Sequence, residues 1–469
     1  MTSPRTTARR SVSAFRHRNY RLFFTGQAIS LVGTWMQQVA QAWLVLEISD
    51  GDPLWLGVVA AAQFVPVIIL GLFAGVLADA LPKRQTLMAA QAAMMVLAVI
   101  LTFLTFSGLV EIWMVVALAL ALGCVNAVDM PVRQSFAIEL VGPRDVGNAV
   151  SLNSAMFNGA RVVGPAVAGL TIGAFGVATA FAINAASFLA VIAGLALMRD
   201  EELRTPRVVP RPRSFGQVIE NLAEGLQFVR GTPVVLMAVV VVGLVATFGM
   251  NFGVLIPPLA QDVLNSDAAG YGFLMTASGV GALSAAIALV IGGRPRPGQI
   301  AIGGMVLGVA SVALALSGSF PVSLILMVLV GAGGITMAAT ANATIQLAVP
   351  DGLRGRVMSV YTTVFAGSVP IGGLAMGAMA SAIGIPITIA VGGILSLATG
   401  FAAFIWWQRI RPSASATAAE TSSAAGSFAA GLSPAANSGS PPQSSPSGVP
   451  NTRAAFSPPN PNEVLSTRR

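Results

Sequence analysis

This sequence of 469 residues has very little cysteine, histidine or charge. Cys124 is its one cysteine, His17 is its one histidine, and only 9% of its residues are charged. A lone cysteine forms no disulfide framework and no cysteine-based metal site, and a single histidine argues against a metal centre or a histidine base. The chain also lacks the HExxH and GxSxG motifs of enzymes, so we expect no catalytic residue, no metal and no cofactor.

Long hydrophobic runs, by contrast, extend from Leu22 to Trp407, and 55% of the residues are hydrophobic. A helix of about 20 apolar residues is long enough to cross a bilayer. We therefore predict an all-α integral membrane protein with twelve transmembrane helices. The predicted spans are 22–47, 54–78, 86–107, 112–137, 148–171, 177–198, 233–257, 270–292, 299–317, 321–347, 357–382 and 385–408. The first run is too long for a signal-peptide core and is predicted to be retained.

In this predicted topology, the basic residues fall on one side of the membrane. Of the 26 Lys and Arg residues, all but Arg161 lie in the two tails, in the loops on that side or, in the case of Arg133, near the end of a span on that side. The opposite loops carry acids such as Asp50, Glu111 and Asp267. The positive-inside rule predicts that both termini are cytoplasmic, in the plasma or inner membrane of a bacterium. A net charge of +8 would suggest nucleic acid for a soluble chain. Here the charges flank spans and meet lipid headgroups, so we expect membrane lipids and no nucleic acid as partners.

Two halves, a linker and a tail make up the chain. We predict a basic tail over 1–21, six spans over 22–198, a linker over 199–232, six spans over 233–408 and a disordered tail over 409–469. Within the linker, the spacing of Phe215, Ile219, Leu222, Leu226 and Val229 predicts an amphipathic helix on the cytoplasmic surface.

The two halves resemble each other. Their fifth and eleventh spans contain glycine-rich segments at the same offsets, which indicates a duplicated six-span unit. These segments contain Gly164, Pro165 and Gly169 in the first half and Gly372, Gly373 and Gly377 in the second.

Several segments together carry a family resemblance. The loop GVLADALPKR, from Gly75 to Arg84, resembles the loop signature of the major facilitator superfamily. It departs from that signature at Ala80, where the family usually has a basic residue, and at Pro82, where it usually has glycine, so its network of charged residues is smaller than is typical. The segments FRHRNYR, GTWMQQ, DMPVRQ and ARVVGPAVAG resemble the branch of enterobactin-type and macrolide-type exporters, the transmembrane secretion effector family. The resemblance implies two six-helix bundles, a substrate site between them at mid-membrane, and alternating access.

The loop after span two is a candidate gate. Gly75 permits close helix packing, and Asp79 is suited to cap the N-terminus of a facing helix, for which span eleven is the leading candidate. Lys83 and Arg84 would face acids or lipid phosphates, and the contact would latch the halves together on the cytoplasmic side. Alternatively, these residues are ordinary positive-inside loop charges.

Arg161 lies about 13 residues into span five, roughly 20 Å from its cytoplasmic end. An unpaired arginine at that depth is costly, so it should face a wet cavity or a partner. A stripe at helical spacing includes it. This stripe contains Gly147, Ser151, Ser154, Asn158, Arg161 and Pro165. We predict that the stripe lines the substrate cavity, with Gly164 and Pro165 contributing to gating.

Other spans contribute polar residues to the predicted cavity. Span one contains Gln27, Ser30, Thr34, Gln38 and Gln41 in one stripe, with Trp35 and Gln37 beside it. Span four contains Asn126, Asp129 and Arg133 around a proline kink at Pro131, and the second half contributes Asn251, Thr336, Thr340, Asn342 and Thr344. The alternative for these stripes is hydrogen bonding between helices.

Asp129 and Glu47 are the only carboxylates within the predicted spans. Asp129 is the better candidate for a gate or a proton carrier, with Lys83, Arg84 or Arg161 as possible partners. Pairing would lower its pKa and desolvation would raise it, and both remain open.

Together these features predict a secondary active transporter that exports a small amphipathic, drug-like or siderophore-like molecule in exchange for protons. We expect a monomer. Uptake, facilitated diffusion and a non-transporting sensor or scaffold remain alternatives.

Overall fold

A computed structural model describes residues 13–142, 144–203, 215–293 and 295–430. For residues 72–80, 215–219 and 410–430 it describes the backbone but not the side chains. The described residues up to 413 form one compact unit, and those from 414 to 430 belong to another. Within the described ranges the regular secondary structure is helical throughout.

The first half, residues 13–203, begins with a 3-10 helix, Ser13–Arg16, and continues with six α-helices. These are α1 (Arg18–Ile48), α2 (Pro53–Ala80), α3 (Lys83–Phe106), α4 (Ile112–Val141), α5 (Val146–Phe175) and α6 (Val177–Ala196). A short 3-10 helix, Asp200–Glu202, follows α6.

The second half, residues 215–413, contains α7 (Phe215–Gly231), α8 (Pro233–Gly249), α9 (Phe252–Pro258), a π-helical segment (Leu259–Val263), α10 (Ala268–Ile291), α11 (Gly298–Leu316), α12 (Phe320–Ala348), α13 (Asp351–Ile383) and most of α14 (Ile385–Ala430).

Ten helical segments of the described residues are long and apolar enough to cross a membrane. They lie in α2, α3, α4, α6, α8 through the π-helical segment, α10, α11, α12, α13 and α14. Helices α1 and α5, with 31 and 30 residues, are equally long but are not in this set. These two helices carry the glutamine stripe and the Arg161 stripe, whose polar side chains make them less hydrophobic.

The observed helices match the predicted spans to within a few residues at most ends. Span seven differs because it is interrupted at Met250 and Asn251, between α8 and α9. Pro257 and Pro258 lack backbone N–H donors, and α9 gives way there to the π-helical segment. Helix α14 continues to Ala430, past the predicted end at 408. Disorder of the tail stays a prediction, and residues 431–469 lie outside the described part of the chain.

The linker helix predicted from Phe215 onward is present as α7, and it packs against α13 and α8. Val229 is buried, and Leu222 packs against the same hydrophobic cluster. Glu224 forms an ion pair with Arg356 of α13. Helix α7 is therefore attached to the second half on one face. The side chains of Phe215 and Ile219 lie outside the described residues.

Acidic and basic loops mark the two ends of the helix bundle, here called the acidic end (Asp52, Glu111, Asp267) and the basic end (Lys83, Arg144, Arg354). Near the acidic end, buried residues of both halves form one hydrophobic cluster, which includes Leu46, Leu56, Ile172, Tyr271, Met327 and Met376. Near the basic end each half has its own cluster, around Phe136 in the first half and Val357 in the second. The halves therefore share a core only toward the acidic end.

Two seams connect the halves, one between α2 and α13 and one between α5 and α10. Glycines bring the backbones together in both. A Cβ atom added at Gly57 of α2 would lie 2.3 Å from the Gly373 carbonyl oxygen, and one at Gly272 of α10 would lie 2.6 Å from that of Pro165. Glycine is required at these two positions because any side chain would force the helices apart.

Candidate functional site

A cavity of about 280 Å³ lies between the halves. Helices α1, α2, α8, α9 and α13 and the break between α8 and α9 provide its walls, which are mostly apolar. The apolar residues include Val45, Leu56, Val59, Phe64, Met250, Val254, Phe365 and Val369. Its polar lining consists of four amides, Gln38 and Gln41 of α1, Gln63 of α2, and Asn251. Such an apolar chamber with a few hydrogen-bonding groups is typical of a small-molecule site.

Asn251 reaches the cavity because span seven is interrupted at this residue, between α8 and α9. Its backbone carbonyl accepts hydrogen bonds from the Val254 and Leu255 amides, at 3.1 and 3.0 Å, and so starts α9. Its side-chain amide donates to the Thr247 carbonyl at 2.7 Å, which leaves the side-chain oxygen as a buried acceptor at the wall. The break thus places a polar group in an otherwise apolar span.

Arg161 lies beside the ring of Trp35, with its guanidinium carbon 6.0 Å from the ring centroid. Phe157, one turn earlier on α5, packs edge-on against the same ring, with a centroid distance of 5.6 Å. Trp35 is three residues from Gln38, so this cation-aromatic cluster is one turn of α1 away from the amide-lined cavity. No described carboxylate pairs with Arg161, which is half-buried and does not itself line the cavity.

Other members of the predicted stripes use their polar groups locally. The Asn158 amide donates to the Ser154 carbonyl at 2.9 Å, and the Thr34 hydroxyl donates to the Ser30 carbonyl at 2.9 Å, both one turn back along the same helix. Ser154 is exposed and Asn126 is half-buried. Thr340 is buried on α12, and its hydroxyl oxygen has no hydrogen-bond partner among the described residues. None of these six residues lines the cavity.

Asp129 is buried in α4, with a relative exposure of 1%. Its Oδ1 accepts a hydrogen bond from Gln91 Nε2 of α3 at 3.0 Å, and its Oδ2 lies 3.4 Å from Arg133 Nε, one turn further along α4. The cation beside Asp129 is thus Arg133, rather than the Lys83, Arg84 or Arg161 considered from the sequence.

Lys83 and Arg84 find partners within the first half. Lys83 pairs with Glu139 of α4. Arg84 pairs with Asp200 and donates to the carbonyls of Leu195 and Ala196, at 2.8 and 2.9 Å, at the end of α6. Across the described residues, no ion pair joins the two halves. The other two residues of the predicted latch, Gly75 and Asp79, fall in the part of α2 whose side chains are not described.

Gly164 and Pro165 lie where α5 meets two other helices. A Cβ atom at Gly164 would lie 2.4 Å from Trp35 Cβ, so this glycine permits the close approach of α1 that positions the Trp35 ring. The Pro165 carbonyl faces Gly272 of α10 in the seam between the halves. Both residues are buried.

Two amides of this region were missed by the sequence reasoning. Gln63 of α2 lines the cavity, and Gln91 of α3 holds Asp129. Each is an isolated polar residue in an apolar span, and that isolation is the signal that identifies it. Phe64 and Phe365 also line the cavity, but their sequence gives no such signal because aromatic residues are common in spans facing lipid.

Comparison with known proteins agrees with this architecture. The chain is 25% identical to the staphyloferrin A transporter of Staphylococcus aureus over 80% of its own length and 93% of that protein's. It is 29% identical to the multidrug efflux pump Tap of Mycolicibacterium fortuitum over 80% of its length and 91% of that protein's. The crystal structure of a bacterial homologue of the lysosomal transporter Spinster, inward-facing and unoccupied, has the same fold, with a TM-score of 0.63 at 11% identity over 84% of this chain and 98% of that one.

A family model described as transmembrane secretion effector matches residues 9–429, most of the chain. The family consists of transporters of small molecules rather than enzymes, and its members are multi-pass proteins of bacterial membranes. The chain belongs to the transmembrane secretion effector family of the major facilitator superfamily.

Proposed function

We propose that the protein is a proton-driven exporter that carries a small amphipathic molecule out of the cytoplasm by alternating access. The cavity between the halves supports this proposal most directly. Amides of the first half (Gln38, Gln41, Gln63) and of the second (Asn251) face one apolar chamber. A substrate bound there touches both halves, so relative motion of the halves changes its access.

In this proposal α1 and α5 cross the membrane with the ten more hydrophobic segments, which gives twelve spans with both termini in the cytoplasm. The polar stripes of α1 and α5 are tolerated because they face the space between the halves rather than lipid. The basic end faces the cytoplasm by the positive-inside rule.

The conformation is then open toward the cytoplasm. Supporting this, the halves share a hydrophobic core near the acidic end and have separate cores near the basic end. The absence of described ion pairs between the halves at the basic end also fits an open cytoplasmic side. In the opposite state, Asp79, Lys83 and Arg84 would latch the loop after α2 to α13.

The lining favours a substrate with neutral hydrogen-bonding groups and a hydrophobic body. Amides both donate and accept hydrogen bonds, so the cavity accommodates varied polar patterns without a fixed charge. An anionic group of the substrate would reach Arg161, one turn of α1 away from the cavity. Relatives named as a multidrug efflux pump and a staphyloferrin A transporter fit this mixed chemistry, and the efflux pump favours export.

Proton coupling is assigned to Asp129. A proton taken up by this buried carboxylate would remove the charge that attracts Arg133 and free that arginine to move. Gln91 would hold the protonated side chain in place through its hydrogen bond. Helix α4 also contains Pro131 between the two charged residues, a point at which the helix can bend.

Everted membrane vesicles test the proposal. Accumulation of ethidium and of a citrate-based ferric chelate is measured with a proton gradient, acid inside, and after its collapse by an ionophore. The double variant Gln63→Leu/Asn251→Leu is compared with Gln85→Leu, an exposed amide on α3. We expect gradient-driven accumulation that the double variant loses and the control retains. Accumulation only in right-side-out vesicles would indicate uptake, and equal transport by both variants would place the substrate elsewhere.

A further inference from the structure

A groove on the outside of the molecule, between α1 and α6 near the basic end, is separate from the central cavity. Its volume is about 420 Å³, and it shares no lining residue with that cavity. Apolar side chains form its walls, among them Ile29 and Leu197, which are 50% and 61% exposed. The groove is therefore open to the outside of the protein, at the level where α1 and α6 meet the basic loops.

Two glycines bring α1 and α6 together at the base of the groove. A Cβ atom at Gly26 would lie 2.8 Å from the Ala190 carbonyl oxygen, and one at Gly194 would lie 2.8 Å from that of Leu22. Such contact leaves the bottom of the groove without large side chains. The exposed Ala193 keeps the α6 side shallow. A slender hydrocarbon chain fits a groove of this kind.

Arg18 and Arg21 stand at its basic end. Arg18 Nη1 donates to the Leu197 carbonyl at 3.0 Å, and Arg21 Nη1 donates to the Phe15 carbonyl at 3.0 Å. These bonds hold both guanidinium groups near the groove and leave their other N–H donors available. Among the described residues, no carboxylate forms an ion pair with either arginine. Two cations that have no ion-paired carboxylate among the described residues match a phosphate, which arginine binds in a forked geometry.

We propose that this groove is a binding site for one anionic phospholipid. Its phosphate lies between Arg18 and Arg21, and one acyl chain follows the groove past Gly26 and Ile29. The apolar walls select a lipid over free phosphate, because only a lipid covers them. The two arginines select an anionic headgroup over a zwitterionic one, whose ammonium group they repel. The site stands independently of the transported substrate.

Native mass spectrometry of the full-length protein in detergent tests this proposal. Phosphatidylglycerol, phosphatidylethanolamine and inorganic phosphate are titrated separately. We expect one phosphatidylglycerol to bind saturably and more tightly than phosphatidylethanolamine, without displacement by inorganic phosphate. Arg18→Gln/Arg21→Gln should weaken phosphatidylglycerol binding about 25-fold, since each arginine contributes about fivefold. The control Arg230→Gln/Arg296→Gln removes the same charge from exposed basic-end positions and should bind as the native chain does.

A second variant, Ala193→Phe, fills the groove from an exposed position and leaves both arginines in place. It should weaken phosphatidylglycerol binding while the thermal stability without lipid is retained. Equal binding of the two lipids, equal weakening in the control variant, or full competition by inorganic phosphate would each overturn the proposal. The first two results indicate unspecific attraction to a basic surface, and the third indicates a site for anions alone.

Discussion

Arg161 and Trp35 form a cation-aromatic pair across α5 and α1, with 6.0 Å between the guanidinium carbon and the ring centroid. Such a pair compensates only part of the cost of a charge inside a membrane-spanning helix. No described carboxylate neutralises Arg161, and in the proposed function an anionic group of the substrate would supply the missing counter-charge. In this proposal, the packing of α1 against α5 positions the arginine that would select an anionic substrate.

Replacing Arg161 should therefore discriminate between substrates. For Arg161→Gln we expect the export of an anionic dye to fall about tenfold or more, because a charge-assisted hydrogen bond is lost. Export of a neutral dye should fall much less. Initial rates over a range of substrate concentrations measure both. Trp35→Phe retains an aromatic face and serves as the milder variant. An equal loss for the two dyes would show that Arg161 supports the structure instead of recognising an anion.

Asp129→Asn should abolish the dependence of substrate accumulation on the proton gradient without abolishing substrate binding. Asparagine can keep the hydrogen bond to Gln91 but can neither bind a proton nor attract Arg133. We expect binding of substrate to persist while accumulation in vesicles no longer responds to the proton gradient. Substrate binding is measured by fluorescence of a bound dye and accumulation with and without an ionophore.

The matched control is Glu139→Gln, which removes another carboxylate of α4, the partner of Lys83 nearer the basic end. It should retain gradient-driven accumulation. If Asp129→Asn still concentrates substrate against a gradient as the native chain does, the proton is carried elsewhere.

Helices were predictable from the sequence because a span of about 20 apolar residues and its flanking charges are local properties. The contacts that build the site are not local. Asp129 accepts a hydrogen bond from Gln91 of α3, and Lys83 of α3 pairs with Glu139 of α4, and both contacts depend on how α3 and α4 pack. The repeat of four and three residues along α1 includes Gln38 and Gln41, and both line the cavity between the halves.

The break in span seven shows another limit of periodicity. The hydrophobic run from Pro233 to Val263 is continuous in sequence, and Asn251 alone indicates that the chain leaves the helix there. Similarly, Thr340 is a polar residue that the sequence predicts for the cavity, yet it is buried within the second half, because the direction of a side chain depends on the rotation of its helix against its neighbours.

The glycine seam at the acidic end would be the closed gate in the proposed mechanism, and this yields a prediction. In Gly57→Val the new side chain would meet the Gly373 carbonyl, which lies 2.3 Å from the Cβ position, and would push α2 from α13. Overpacking of this kind costs about 1–3 kcal/mol, so we expect a Tm lowered by a few degrees and leakage at the acidic end. Tm is measured in detergent, and leakage by labelling of a cysteine introduced at Val254, which lines the cavity.

Gly71→Val is the control for this seam because it places the same side chain on the same helix, where an added Cβ atom meets nothing within 4 Å. Its Tm and labelling should stay close to those of the native chain. Equal labelling of the two variants from the acidic end would mean that Gly57 does not seal the gate.

The N-terminal 3-10 helix should detach in acid through Asp145. Ser13 Oγ donates to Asp145 Oδ1 at 2.6 Å, and His17 Nε2 lies 2.9 Å from Asp145 Oδ2. The hydrogen bond from Ser13, followed by that from His17, lowers the pKa of Asp145 below its usual 3.8. The stabilisation by this carboxylate is thus fully present above pH 3.8 and is lost as the pH falls through the lowered pKa.

Hydrogen exchange of residues 13–20, corrected for the intrinsic rate at each pH, should increase below about pH 4 while the membrane-spanning helices stay protected. In Ser13→Ala the largest cause of the lowered pKa is absent, so the transition should move to higher pH. In Asp145→Asn the segment should exchange rapidly at every pH, without an acid transition. A transition that is unchanged in Ser13→Ala and persists in Asp145→Asn would assign the acid sensitivity to another group.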